Sequence, residues 1–252
     1  MGVSKEGLAK DSWESGMELH AKYTLFSEGT RGSLSKFLIK NFSLSEDSDY
    51  QKYAIGLKEL WEIKEENFTD GLVEHSMGWP LTDETNGGSF LYHFDKNLVS
   101  IGYVIHLNYT NPYVSPFDEF QQFKTHPSVK KVLKGGKRIS YGARAITTGG
   151  YQSVPKLYFP GGALIGCSAG FLNYPKIKGT HNAMESGMLA AEAIIDNYVS
   201  GSQEKDLINY QEKYENSRIA KELKRVRNIK PYQARYGPLI GTLLGGLDMW
   251  LS

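Results

Sequence analysis

Residues 161–194 read GGALIGCSAGFLNYPKIKGTHNAMESGMLAAEAI. A short apolar strand runs into a glycine-rich turn, a Lys178-Gly179-Thr180-His181 loop follows, and a helix begins that the sequence continues to Val199. Ala183, Ser186, Gly187, Ala190, Ala191 and Ala193 give that helix a face of small residues, so it can lie close on a sheet and bring its N-terminus to the strand ends. The amides of its first turn, near residues 178–182, lack intrahelical acceptors and favour negative charge. A helix packed on a sheet with no ligand reads the same way, and the residues alone leave both readings open.

The same grammar occurs near the start of the chain. In residues 20–26 (HAKYTLF), Ala21, Tyr23 and Leu25 alternate against polar neighbours, as in a strand. Glu28, Gly29, Thr30, Arg31 and Gly32 form a glycine turn, and Ser33 stands where it can cap a helix to about Lys40. Strand, glycine turn, helix is the connection through which sheet-and-helix folds approach nucleotides, because glycine lets backbone come near a cofactor without a Cβ clash. A plain strand-to-helix turn is the alternative. Residues 161–194 have the shape of half a flavin site, without the other half. A flavin gathers negative charge at N1 and O2 as it is reduced, and helix amides or the Thr180 hydroxyl beside them would raise its potential.

Between the two segments the pattern changes. Residues 54–63, 72–79, 88–94 and 98–107 are rich in aromatic and β-branched types, with turn signals at 67–71, 83–88 and 95–97. They read as a mostly antiparallel sheet inserted between nucleotide-binding segments. Residues 116–133 read as helix in two pieces, broken near Pro127. Residues 203–227 read as a charged amphipathic helix or pair of helices. The tail 236–251, YGPLIGTLLGGLDMWL, carries only Asp248 as a charge. At about 16 residues it is shorter than the roughly 20 that cross a bilayer.

Bulk properties narrow the function. A chain of 252 residues, 40% hydrophobic, can build one large or two small domains. A net charge of +1 gives no broad electrostatic case for nucleic acid. The one cysteine, Cys167, rules out a disulfide framework or a cysteine-based metal site within the chain. His20, His75, His93, His106, His126 and His181 show no metal-ligand spacing. No acid–base catalytic pair and no metal ligand is assigned. The first residues are polar, without the apolar core of a signal peptide. The Lys5-Glu6-Gly7 turn belongs between strands, so Met1 reads as an internal methionine of a longer protein.

Long strings then carry a resemblance. IGLKELW (55–61), HSMGWPL (75–81), GGSFLYH (87–93), NPYVSPFDEFQQFKTHPS (111–128), GGKRISYGARA (135–145), the stretch 149–173, PKIKGTHNAM (175–184) and VRNIKP (226–231) occur in this order. Over nearly its whole length the chain resembles the electron-transfer-flavoprotein:ubiquinone oxidoreductases, the ETF dehydrogenases. The resemblance implies an α/β (α+β) fold: a partial FAD-binding domain of glutathione-reductase type, interrupted by a mostly antiparallel quinone-binding domain. It divides the chain into 1–50 (FAD), 51–145 (ubiquinone), 146–200 (FAD again) and 201–252 (helical, with a membrane-surface helix). It implies electron flow from reduced electron-transfer flavoprotein through FAD to ubiquinone, on a bacterial inner membrane (cytoplasmic face) or the mitochondrial inner membrane.

Carried over residue by residue, Glu28, Gly29, Arg31 and Gly32 match the family's second FAD-contacting turn. Gly166, Cys167, Ser168 and Gly170 fall where related flavoproteins hold the ribityl chain. Cys167 there is a small residue near the cofactor, not a nucleophile. Gly179, Thr180, His181 and Asn182 form the flavin turn. Gly87 and Gly88 lie where the quinone headgroup docks, although Asn86-Gly87 is equally a hairpin turn. Tyr236 to Leu251 matches the membrane-surface helix, with Tyr236 and Trp250 as aromatic ends, although it also reads as an ordinary core helix. The basic run Lys221, Lys224, Arg225, Arg227, Lys230 and Arg235 suits anionic headgroups or a solvated face. The departures are that no GxGxxG lies in the chain and that no ligand set for the family's [4Fe–4S] cluster is present. The chain therefore reads as the central portion of the enzyme. The alternatives are an inactive remnant that binds quinone or lipid without FAD, and a FixC or geranylgeranyl-reductase type of flavoprotein, against which GWPL and GGKRISYGARA argue.

Overall fold

Strand Leu98–His106 organises the larger sheet of the computed structural model, which describes residues 2–82, 85–202 and 205–251. Asp83 and Glu84 of the turn read at 83–88, and Gln203 at the start of the segment read as helical from 203, lie outside the described residues. In chain order the strands are β1 (Thr24–Phe26), β2 (Tyr53–Glu62), β3 (Val73–Met77), β4 (Gly87–Phe94), β5 (Leu98–His106), β6 (Lys137–Thr147), β7 (Tyr158–Phe159) and β8 (Gly162–Leu164). The helices are α1 (Ser33–Asn41), α2 (Pro116–Phe123), α3 (Pro127–Leu133), α4 (Thr180–Val199), α5 (Ile208–Asn216), α6 (Arg218–Arg225) and α7 (Ile229–Leu251).

The five-stranded sheet runs β3-β4-β5-β2-β6, antiparallel throughout. Side chains alternate across it. Val99, Ile101, Tyr103 and Ile105 are fully buried and join Phe120, Phe123, Val129 and Leu133 of α2 and α3 in one core. Burying each such apolar side chain stabilises by roughly 1.5–3 kcal/mol. The Tyr103 and Phe123 rings lie 5.0 Å apart. Pro127 opens α3, as the sequence predicts. Strand β6 carries no alternating apolar signal. It is an edge strand, mostly exposed and bearing Lys137, Arg138 and Arg144, a composition that discourages further pairing.

The smaller sheet runs β1-β8-β7, with β1 parallel to β8. The strand read over 20–26 shrinks to Thr24–Phe26, because its partner β8 spans only Gly162–Leu164. Helix α4 lies on this sheet's core through Ser186, Ala190 and Ala193, and α5 and α6 close the core with Leu207, Tyr210, Ile219 and Leu223. The break between α5 and α6 falls at Ser217, whose hydroxyl accepts from the Ala220 amide.

The tail helix starts earlier than its sequence suggested, at Ile229, and kinks at Gly237 (φ 77°, ψ 171°) just before Pro238. Residues 238–251 then fold back on 229–236. A Cβ on Gly241 would fall 2.4 Å from the Gln233 Cα, so only glycine permits the approach. This leaves Leu239, Ile240, Leu243, Leu247 and Trp250 exposed. Among the described residues no helix is long and apolar enough to cross a membrane.

Candidate functional site

Two glycine turns lead into helices and end differently. At α1 the N-cap is Gly32, not Ser33 (φ −60°, ψ 142°), and its cap comes from Glu28. The Glu28 carboxylate accepts from the amides of Leu34 (3.3 Å) and Ser35 (2.6 Å) and from the Ser35 hydroxyl (2.7 Å). The Ser35 hydroxyl and amide hold that carboxyl below its usual range. A Cβ on Gly32 would collide with the Glu28 side chain at 2.3 Å. The Arg31 guanidinium sits over the Tyr53 ring at 5.2 Å.

At α4 the N-cap is Gly179, with no capping side chain and no acidic residue in the first turn. Its leading amides, from Thr180 onward, are the unpaired donors of any helix start. The turn is held from behind. Asn182 is buried and donates to the Phe171 carbonyl at 2.9 Å. His181 Nε2 lies 3.0 Å from Glu222, which also accepts from Asn173 Nδ2 (2.7 Å) and pairs with Lys176 (3.0 Å). Burial pushes the Glu222 carboxyl up, but the donors His181, Lys176 and Asn173 outweigh it and hold it at about 2.

Loop 166–171 joins the two turns. The Ser168 hydroxyl donates to the Gly29 carbonyl (3.2 Å), and the Gly166 amide donates to Ser186 Oγ on α4 (2.9 Å). Gly166 (φ 60°) and Gly170 (φ 85°) occupy the left-handed region that favours glycine. A hollow of about 140 Å³ lies between Gly29–Gly32 and Ser168. Burial pushes the Cys167 thiol up, so the reactive thiolate is disfavoured.

A larger cavity of about 430 Å³ lies beyond this loop. Its floor is the face of β4 and β5 that carries Gly88, Phe90, Val104 and His106, and the segment Leu172, Tyr174, Pro175 and Ile177 covers it. Ile229, Gln233, Thr242, Gly246 and Met249 of the folded-back α7 close the far side. Gly87 and Gly88 line the cavity, but a Cβ there would strike the backbone of neighbouring strands: Val104 O at 2.6 Å and Ser76 O at 2.5 Å. The β3–β4 connection runs through residues 78–86, so Asn86-Gly87 closes no two-residue turn.

Tyr174, Gln233, Thr242 and His106 add polar groups to this cavity. Tyr174 donates to Gln233 (2.8 Å), and Gln233 donates to Thr242 (3.0 Å). His106 is 2% exposed and meets the Tyr174 ring edge-on at 4.9 Å. Burial, with Lys230 adding to it, pulls the imidazole down to about 3, so it is neutral at ordinary pH. Lys230, read as part of the basic run, is instead 7% exposed and donates to the Thr148 carbonyl (3.1 Å) and hydroxyl. Burial and Lys52 pull its ammonium down to about 7. The even-numbered alternation of β5 placed His106 beside Val104, a signal open to the sequence. The Lys230 contact, by contrast, spans two distant segments. Among the described residues no three potential metal ligands converge, and with one cysteine the chain offers no cluster ligand set.

Residues 53–146 match the family described as ETF-QO, ubiquinone-binding. The chain is 50% identical over 266 residues to the human mitochondrial electron transfer flavoprotein-ubiquinone oxidoreductase, covering 99% of the chain and 43% of that protein. It is 50% identical over 250 residues to the Pseudomonas aeruginosa electron transfer flavoprotein-ubiquinone oxidoreductase, covering 98% and 45%. The chain thus spans less than half the length of these relatives. Its fold matches a geranylgeranyl bacteriochlorophyll reductase-like protein from Thermoplasma acidophilum over 91% of this chain and 54% of that one, with TM-score 0.67 at 16% identity.

Proposed function

From a chain half-identical, over nearly all its length, to electron transfer flavoprotein-ubiquinone oxidoreductases, we propose that it supplies the quinone site and the isoalloxazine side of the flavin site of such an oxidoreductase. One observation carries this reading. The single segment 171–182 covers the apolar cavity with Leu172, Tyr174, Pro175 and Ile177 and then becomes the uncapped start of α4. A carrier between a bound flavin and a lipid-soluble acceptor needs those two places side by side.

FAD, when bound, would supply a redox centre able to take up and release electrons singly or in pairs. The turn Glu28, Gly29, Arg31, Gly32, the loop Gly166, Cys167, Ser168, Gly170 and the turn Gly179, Thr180, His181, Asn182 would hold it. They fit, because the glycines open backbone near the loop and the α4 amides have no competing carboxylate. These amides favour the negative charge of the reduced ring, and Glu222 fixes their position through His181. Ubiquinone would lie in the larger cavity, beside Gly87 and Gly88, with its tail toward Ile229, Gly246 and Met249. The proposed electron donor is the electron-transfer flavoprotein. The exposed Leu239, Ile240, Leu243, Leu247 and Trp250 would rest in the surface of an inner membrane, bacterial or mitochondrial, next to the cavity wall that Thr242 and Met249 form.

The test is vesicle co-sedimentation with decylubiquinone dissolved in the lipid. The whole chain should pellet with vesicles and retain decylubiquinone, and removal of residues 238–251 should abolish both. Undiminished sedimentation of the shortened chain contradicts the membrane role, and absence of decylubiquinone binding by the whole chain contradicts the quinone site.

A further inference from the structure

Lys230 is 7% exposed, and its ammonium donates to the Thr148 carbonyl (3.1 Å) and hydroxyl and lies 5.7 Å from the centre of the Tyr174 ring. Among the described residues no carboxylate pairs with it. Glu222 is taken by His181, Lys176 and Asn173, and Asp248 accepts from Asn228 (3.1 Å). A buried charge without a counterion is costly, yet the fold places one here.

Shared residues fix where that charge stands. Leu172, Tyr174 and Pro175 line the larger cavity, and the same three line a small hollow together with Lys230. The segment is therefore a thin wall between the ammonium and the cavity. His106 on the cavity floor feels the charge, since Lys230 adds to the burial that keeps its imidazole neutral. No Asp, Glu, Lys or Arg lines the cavity itself. The other titratable or charged groups that face Lys230 are Lys52, Arg227 and Tyr174. The first two are cations of the same sign, and burial pushes the Tyr174 hydroxyl up, which keeps it neutral. Inside an apolar cavity the field of such an ammonium is weakly screened.

We infer that Lys230 makes the larger cavity selective for a ring with negative charge on its oxygens: an ionised hydroxyquinone, or a quinone as it gains electrons. Lys230 acts from behind the Tyr174 wall, without touching the ring. This rests on the reading of the cavity as a quinone site.

Equilibrium dialysis of the 252-residue chain against two naphthoquinones with the same decyl tail tests it. One carries a ring hydroxyl that is ionised at neutral pH, and the other is its methyl ether, which stays neutral. Lys230→Met should lose about tenfold in affinity for the hydroxyl compound, as one weakly screened charge implies, and keep its affinity for the ether. Equal loss for both compounds, no loss for the hydroxyl compound, or failure of the unaltered chain to bind that compound overturns the charge assignment while the ether still reports the cavity. Failure of the unaltered chain to bind the ether overturns both. Should Lys230→Met not fold, the pH dependence of the unaltered chain decides. Its ammonium sits at about 7, so raising the pH through that value discharges it. Affinity for the hydroxyl compound should then fall about tenfold and that for the ether stay level, whereas parallel profiles overturn the assignment.

Discussion

Helices α1 and α4 leave glycine turns with the same sequence grammar and opposite outcomes. The first closes its own N-terminus with the Glu28 carboxylate, and the second leaves its amides uncapped above Gly179. A glycine turn before a helix therefore marks where backbone can come close to something. At α1 a carboxylate of the chain itself takes the leading amides, and at α4 none does. Glu28 serves as a structural cap that shapes its turn, while α4 presents the electropositive end.

The comparison can be broken most severely at the anchor of α4. Glu222→Gln removes the charge that His181, Lys176 and Asn173 share, a loss of about 2 kcal/mol in urea unfolding for hydrogen bonds to a charged group. Because Glu222 sits at about 2 in the fold against an ordinary 4.5, its contribution is complete above the ordinary value and lost as pH falls toward the folded one. The variant should flatten stability over that acid range, and an unchanged pH profile would show that Glu222 does not hold the turn. Next in size, Gly179→Asp places a carboxylate where α4 has none. A Cβ there meets Leu172 at an ordinary 3.5 Å, so the fold accepts it. Stability should rise by a few tenths of a kcal/mol, while FAD affinity, read by flavin fluorescence, falls about tenfold, an estimate set by one lost charge-favouring site. Equal FAD affinity would make the two helix starts equivalent after all. Smallest is Ser35→Ala at α1, which removes one donor to Glu28 and, by loosening the turn proposed to hold FAD, should weaken FAD binding less than Gly179→Asp does. A flavin effect as large as that of Gly179→Asp would make the two helix starts equivalent.

The legible part of this molecule was its local grammar. Aromatic and β-branched runs between turn signals located β2 through β5, Pro127 located the α2–α3 break, and the small-residue face located α4. Contacts between distant segments were not legible. Glu28 reaching Ser35, Glu222 gathering three donors from another segment, and Lys230 turning inward to Thr148 depend on how elements meet in space. Lys230 shows the limit most clearly, since its neighbours in sequence are a charged run and its neighbours in space are Thr148 and Tyr174. Strand β6 escaped because an edge strand with charged, exposed side chains has no period for burial to write. The kink at Gly237 turned an apparently simple tail into a wall of the cavity, and the small residues that allow it, Gly241 and Gly245, look from sequence like weak helix formers.

The claim that segment 171–182 serves flavin and quinone together is tested most directly by photolabelling with an azido-ubiquinone, followed by peptide mapping. The account predicts labels on peptides containing residues 172–177 and 242–249, suppressed by excess decylubiquinone. Labelling confined to the α2–α3 side of the sheet, or unaffected by decylubiquinone, would contradict it.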